Sequence, residues 1–320
     1  MNATTAVRRE PAFEDPAAVW ALTRSAPPYY PLGRDAASAA TFVPPWFRQD
    51  FASFGEVHVS GAEVILHNPA YVDAAHEIFG ADVIVEPTTE YVNVMAPAAY
   101  PFVAHTDVPV FLGASRKNMP AWFLNAMLAS GLFEAERVRL ATAVAWSYGG
   151  PGGAFHYWPE GPEASRQVVE PPFDNVAVVA DNEVTFHGVG KVGERSTAID
   201  FDPPLTLDAA MVFDGADGQW HIDEAGARRA SFPDDIIRTT ISWKAEIYRD
   251  EAERGRVAAA QADPSVGLSL DTIVARLRAG LAALGRTAPA SDHPFADEAA
   301  SNEWSAALGA AYPQPAPRIR

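Results

Sequence analysis

Five side chains in this sequence have types and spacings that could bind a metal ion and an organic anion together. His105 and Asp107 stand two apart in "PFVAHTDVPVF". On a strand such residues share a face, so an imidazole and a carboxylate would sit side by side on a rigid element. A second such pair, His221 and Asp223, follows "DGADGQW" in a polar, Gly-containing stretch that reads as an exposed loop or hairpin. It shows how little the pair means alone. The first pair has a third ligand downstream, His187 in "DNEVTFHGVGKVG", where Gly188 and Gly190 leave room on a β-rich segment. His156 in "GGAFHYWPEGP" competes with it, but lies amid Gly and Pro, where a rigid strand is less expected. Two imidazoles and one carboxylate leave coordination positions open, as oxygen-activating non-heme iron requires. Hydrolytic zinc can use the same set, so the triad does not separate the two.

Arg238 and Thr240 complete the five. In "RTTISWKAEIY", Arg238, Thr240 and Ser242 share one strand face. An arginine on a buried strand face is costly unless paired, so it faces an anion. With a hydroxyl two residues on, it suits the far carboxylate of a dicarboxylic acid. Arg195 in "GERSTAI" is the alternative and follows His187 more closely. Arg238 is preferred because its strand is longer and more apolar. The stretch from "DFDPPLTL" to "SFPDD" then becomes an insertion between two strands. Asn93, ahead of the metal strand, could hydrogen-bond the same anion. Tyr157 and Trp158 suit the rim of a pocket, having apolar bodies and polar tips. Arg116, with Lys117 beside it, could hold a substrate carboxylate in so acidic a chain. Trp146 reads as core, and His58, His67, His76 and His293 as surface or packing residues.

The elements that must position these groups are mainly strands. The 27 prolines are spread along the chain and punctuate many short segments, which favours β structure with loops over a helical bundle. Strands are expected in "FGEVHVSGAEVIL", "DVIVEPTTEYVNVM", the His105 segment, "RVRLATAVAWSY", "NVAVVA", "EVTFHGVG" and "IIRTTISWKAEIY". Helices are expected around "DPAAVWALTR" and in "NPAYVDAAHEIFG", capped by Asn68 with Pro69 first inside and Gly80 past the end. Others fall in "MPAWFLNAMLASGLF" stopped by Gly131, in "SLDTIVARLRAGLAALG", and through "ADEAASNEWSAALGAAY". Strands in the middle with helices at both ends suggest a sandwich or jelly roll with helical packing. No linker divides the chain, so a single domain over 1–320 is expected.

Composition narrows the function classes. With 320 residues, 48% of them hydrophobic, a substantial core can form. A net charge of −17 repels phosphate backbones and argues against nucleic-acid binding. The chain has no cysteine, which excludes disulfides, thiolate metal sites and a cysteine nucleophile. No apolar leader and no long apolar run are evident, so no membrane span and a cytoplasmic location are the expectation.

"HTD" at 105–107, the later "FHGVG" and the late "RTTISWKA" resemble the iron(II)/2-oxoglutarate-dependent oxygenases, over roughly residues 85–250. "HTDVPVFLG", "YWPEGP", "DNEVTFHGVGKVG" and "RTTISWKAEIYRD" look like a subgroup in secondary metabolism, some of whose members act on free amino acids. The resemblance implies a mainly β double-stranded β-helix (a jelly roll, cupin-like) spanning 85–250, with helical and loop extensions. It implies iron(II) held by His105, Asp107 and His187. It implies 2-oxoglutarate held at its far end by Arg238 and Thr240, with O₂ consumed and a small molecule oxidised by hydroxylation, desaturation or ring closure. Asp107 at the carboxylate position resembles hydroxylases rather than halogenases. Two other readings stay open: a zinc-dependent hydrolase, for which no H-E-x-x-H motif is present, and a non-catalytic ligand-binding jelly roll.

Overall fold

The computed structural model describes residues 6–26, 28–31, 46–97, 101–194, 201–314 and 317. The N-terminal third contains β1 (Val7–Arg9), α1 (Pro16–Ser25), β2 (Tyr30–Pro31), β3 (Trp46–Ser53), β4 (Glu56–Val57), α2 (Glu63–Leu66) and α3 (Pro69–Phe79). Asn68 caps α3 by accepting from Ala70 N–H, Pro69 opens it and Gly80 follows it, as its sequence predicts. "EVIL" departs from the strand expected of it. It forms the short helix α2, whose Ile65 and Leu66 are buried. Apolar residues in so short a run have no decisive period, and packing sets their state.

The middle of the chain supplies β5 (Ile84–Met95), β6 (Phe102–His105), β7 (Val110–Phe111), α4 (Ala121–Ser130), β8 (Arg137–Ser147), β9 (Phe155–Trp158), β10 (Gln167–Val169), β11 (Ala177–Ala180) and β12 (Phe186–Val189). Then come β13 (Ala210–Asp214), β14 (Gln219–Glu224) and β15 (Ala227–Pro233), followed by β16 (Arg238–Tyr248) and helices α5 (Glu251–Ala262), α6 (Leu270–Ala283) and α7 (Glu298–Ala311). Gly131 ends α4 in the left-handed region, with φ 66°.

Eight strands make the framework. The large sheet contains β11–β8–β16–β5 in that order, extended by β1 on one side and by β3 and β2 on the other. The small sheet runs β10–β9–β12–β6. Counted I to VIII along the chain, the eight fall as VI–III–VIII–I and V–IV–VII–II, all antiparallel. This alternation of the chain between two facing sheets is the double-stranded β-helix, or jelly roll. Pro87 lies inside β5 but falls at a break in register, between the Lys244–Thr89 and Ala245–Pro87 pairs. A bulge is where a strand tolerates the missing N–H.

The three strands β13–β15 form a meander inserted between β12 and β16. His221 is not in an exposed loop: it is buried on β14, bonded to Ser231 Oγ and Asp217 Oδ2. It lies in a different sheet from His105.

The large sheet buries both faces. Its outer face carries Val92, Val94, Ala141, Ala143, Ala145, Ile241 and Trp243, packed with Ile65, Leu66, Tyr71, Ala74 and Ala75 of α2 and α3. Glu90 lies on that face, fully buried, with neither carboxylate oxygen hydrogen-bonded among the described residues. Burial first, and the Glu63 charge second, push its pKa up to about 9. A second core joins α4, α6 and α7 through Phe123, Met127, Leu277, Leu281, Trp304 and Leu308. Between the two sheets lies a third, aromatic cluster of Trp146, Tyr148, Phe155, Tyr157 and Phe173. Beside it opens the cavity described next.

Candidate functional site

His105 and His187 are direct cross-strand partners on β6 and β12, with ring centroids 4.4 Å apart. The Nδ1 of each lies 3.0 Å from a backbone carbonyl two residues earlier, Val103 for His105 and Thr185 for His187. These contacts assign the proton to Nδ1 and leave each Nε2 as the ring's ligand nitrogen. Asp107 follows β6, its N–H donated to Asn182 O at 2.7 Å. Asn182 belongs to the β11–β12 turn, which the buried Arg137 clamps through Asp181 (2.6 Å) and Glu183 (2.8 Å). Asp107 Oδ1 then stands 3.8 Å from His187 Nε2. One ligand atom from each of His105, Asp107 and His187 lies within 4.8 Å of the others, the spacing of a metal site. His156 is elsewhere: it faces away on β9, against Gly190.

The electrostatics suit a cation. Burial alone would raise the Asp107 pKa, but Lys244 and the two imidazoles together bring it down to about 2. Burial lowers the His187 pKa to about 4, against the pull of Asp107, so at neutral pH the ring is uncharged and its Nε2 lone pair is available. The Lys244 ammonium is 2.6 Å from Asp107 Oδ2, the oxygen turned away from His187. Sequence reasoning missed Lys244. The signal was present: the alternation that puts Arg238, Thr240 and Ser242 on one face continues to Lys244.

The inner face of the large sheet is a grid set by register. Arg238 pairs with Met95, and Met95 with Trp46. The next row is Trp146, Thr240, Asn93, Arg48, and the next Val144, Ser242, Tyr91, Asp50. After it comes Thr142, Lys244, Thr89. Most of these side chains line one cavity of about 620 Å³, closed on its other side by Phe102, His105, Phe155, His187 and Val189. That volume suits a small-molecule site.

Arg238 is fully buried in this cavity wall. Its Nε donates to Gly153 O at 2.8 Å and its Nη1 to Thr240 Oγ1 at 2.6 Å. Its Nη2 is buried without a partner among the described residues, and so is Asn93 Oδ1, one strand away from Thr240. Burial brings the guanidinium down to about 9, with only Tyr148 pulling the other way. Gly153 makes the fit possible. Its φ is +71°, and a Cβ there would lie 3.1 Å from Arg238 Cδ. Arg195, the alternative anchor, lies outside the described residues.

The remaining sequence-derived residues divide. Arg116 lines the cavity from the exposed loop after β7. Lys117 does not; its Nζ sits 3.9 Å over the Phe54 ring. Tyr157 and Trp158 are not at a rim. Tyr157 is packed into the inter-sheet core with its hydroxyl donated to Gln167 Oε1, and Trp158 is buried on the opposite face of β9. Phe155, on the inward parity of β9, lines the cavity in their place. Among the described residues no helix is long and apolar enough to cross a membrane.

No family model matches the sequence, and no curated protein matches it. Among solved structures, the chain is similar to an oxidoreductase of the 2OG-Fe(II) oxygenase family from Burkholderia pseudomallei, at 13% identity over 78% of this chain and 86% of that one, with a TM-score of 0.39. A prolyl-4-hydroxylase from Pseudomonas putida aligns at 12% identity over 77% and 94%, with a TM-score of 0.37. HygX from Streptomyces hygroscopicus, with nickel and 2-oxoglutarate bound, aligns at 7% identity over 77% and 84%, with a TM-score of 0.38.

Proposed function

We propose that the protein is an iron(II)- and 2-oxoglutarate-dependent oxygenase acting on a small molecule. The observation that carries this is the coexistence, in one cavity, of an open three-ligand set and a buried guanidinium with an unpartnered nitrogen. The donor set fits iron(II), since two imidazoles and one carboxylate leave further positions free. Arg238 fits the far carboxylate of 2-oxoglutarate. Nη2 is the spare donor, Thr240 steadies Nη1, and Gly153 O fixes the plane of the fork. Asn93, the cross-strand partner of Thr240, would stand beside the same anion. Iron, when bound, supplies the activation of O₂ that couples decarboxylation of 2-oxoglutarate to oxidation of the substrate.

The protein's own residues do the rest. The backbone carbonyls of Val103 and Thr185 hold both imidazoles as Nε2 donors. Lys244 occupies one carboxylate oxygen of Asp107 and leaves the other for the metal. Phe102, Phe155, Trp146 and Val189 make the wall apolar and limit water near the reacting atoms. A zinc hydrolase would need a general base beside the metal. Asp107 is the sole acidic side chain among the described residues of the lining, and it is both a ligand and paired with Lys244. The amino-acid or amino-acid-derived substrate implied by the resemblance suits the volume. Hydroxylation, desaturation and ring closure share the same first hydrogen abstraction. The test is succinate formation from 2-oxoglutarate with iron(II), comparing wild type with His105→Ala and Arg238→Ala. Both variants should lose it, and equal turnover in all three refutes the reading.

A further inference from the structure

The cavity is a positive island in an acidic protein. Arg48, Arg116, Arg238 and Lys244 line it, against Asp107 as the sole acid among the described lining residues, while the chain as a whole carries −17. Lys244 is matched by Asp107, and Arg238 by the far carboxylate of 2-oxoglutarate on the reading above. A divalent ion still exceeds the cosubstrate's remaining carboxylate by one charge. Arg48 is paired on one edge with Asp50, and Arg116 faces the cavity with no acid among the described lining residues to meet it. A third reactant entering this space meets an excess of positive charge.

Arg48 is built as a recognition group. It stands on β3, one strand beyond Asn93 and two beyond Thr240, hence about 10 Å from the Thr240 backbone at the usual strand spacing. Its guanidinium carbon lies 3.5 Å from the centroid of the Tyr91 ring. Its Nε donates to Asp50 Oδ1 at 2.7 Å. The stack and the Asp50 bond fix the plane of the fork and engage one edge of it. The two Nη groups make no hydrogen bond among the described residues, and the side chain is one-third exposed (32%). Trp46, two residues earlier on the same face, packs edge-on to Phe102, which packs edge-on to His105. Two ring contacts thus join Trp46, on the same strand face as Arg48, to the metal ligand His105, and Arg48 stands across the cavity grid from the cosubstrate anchor. A planar fork stacked on an aromatic ring with its outer edge free is arginine's usual way of holding a carboxylate.

We propose that Arg48, laid on Tyr91, is the substrate-recognition residue, and that the substrate is a small organic acid whose carboxylate it holds, with Arg116 adding charge on the same cavity. This rests on the oxygenase reading. The test uses wild-type protein with iron(II) and 2-oxoglutarate under anaerobic conditions, followed by the charge-transfer absorbance of the iron–2-oxoglutarate complex. The probes are free and N-acetylated amino acids and small aliphatic and aromatic acids, each beside its carboxamide. Acids should perturb the band and the amides should not. Arg48→Gln should raise the half-saturating concentration of responding acids about tenfold or more, as expected for loss of one charge-assisted pair, and Arg48→Lys should recover part of it. Amides acting as strongly as acids, no response to any probe, or unchanged acid affinity in Arg48→Gln overturns the proposal alone. A wild type that forms no such band overturns the oxygenase reading and this proposal with it. Should Arg48→Gln form no band of its own, Arg48→Lys and the wild-type comparison of acids with amides decide.

Discussion

Replacing Arg238 by methionine should stabilise the ligand-free protein and abolish its response to 2-oxoglutarate. Arg238 is fully buried and no acid contacts it among the described residues; burial moves its pKa from 12.5 to about 9. At about 1.4 kcal/mol per unit, its charge costs on the order of 5 kcal/mol when no anion is bound. Methionine of similar length removes that cost. It also removes the bonds to Gly153 O and Thr240, each contributing about 1 kcal/mol. The net gain is about 3 kcal/mol, or about 6 °C in Tm at about 2 °C per kcal/mol for a chain of this size. With a manganese(II)-loaded wild type, 2-oxoglutarate at about 100 times its Kd should add about 2.7 kcal/mol. Losing about 3 kcal/mol of charge-assisted binding weakens Kd about 150-fold, and the same concentration then adds only about 0.3 kcal/mol. Calorimetric melting of both proteins with and without 2-oxoglutarate reads both effects. If 2-oxoglutarate raises the Tm of the variant as much as that of the wild type, Arg238 is not the anchor.

Two further outcomes concern buried charges. Lys244→Met leaves Asp107 without its counter-ion, so the metal-free protein should lose about 2–3 kcal/mol. Manganese(II) should then raise its Tm by more than it raises the wild type's, because the ion replaces the ammonium as partner; an unchanged metal-free Tm would count against the pairing. Glu90 has a folded pKa of about 9 against 4.5 unfolded, so between these values the unfolded state binds fewer protons and stability falls as pH rises. The loss reaches about 3 kcal/mol at pH 7. Glu90→Gln should flatten this slope in urea unfolding between pH 5 and 8, and a slope equal to that of wild type would show that the folded protein does not hold the Glu90 pKa above its unfolded value.

Much of this protein is legible locally. Alternation alone places His105 with Asp107, and Arg238 with Thr240, because side chains on a strand repeat every two residues. The Asn68 cap, the prolines at helix starts and the glycines after α3 and α4 follow from backbone groups that need nearby partners. Where local rules compete, sequence reading falters. "EVIL" satisfies either period and packs as a helix, and His221 sits in a polar stretch yet is buried in a meander. Tyr157 and Trp158, adjacent in sequence, point to opposite faces of β9, and neither reaches the cavity. Lys244 lies 137 positions from Asp107 and meets it because β16 and the β6 turn face each other across the two sheets. Arg48 meets Tyr91 because β3 pairs with β5 in one particular register. The sequence by itself determined which residues could share a face and which chemistry they could do. Only the tertiary structure decided which faces meet, because sheet register and the closing of one sheet over another are set by packing across the whole core, and a change of one residue in register would turn every one of these side chains away.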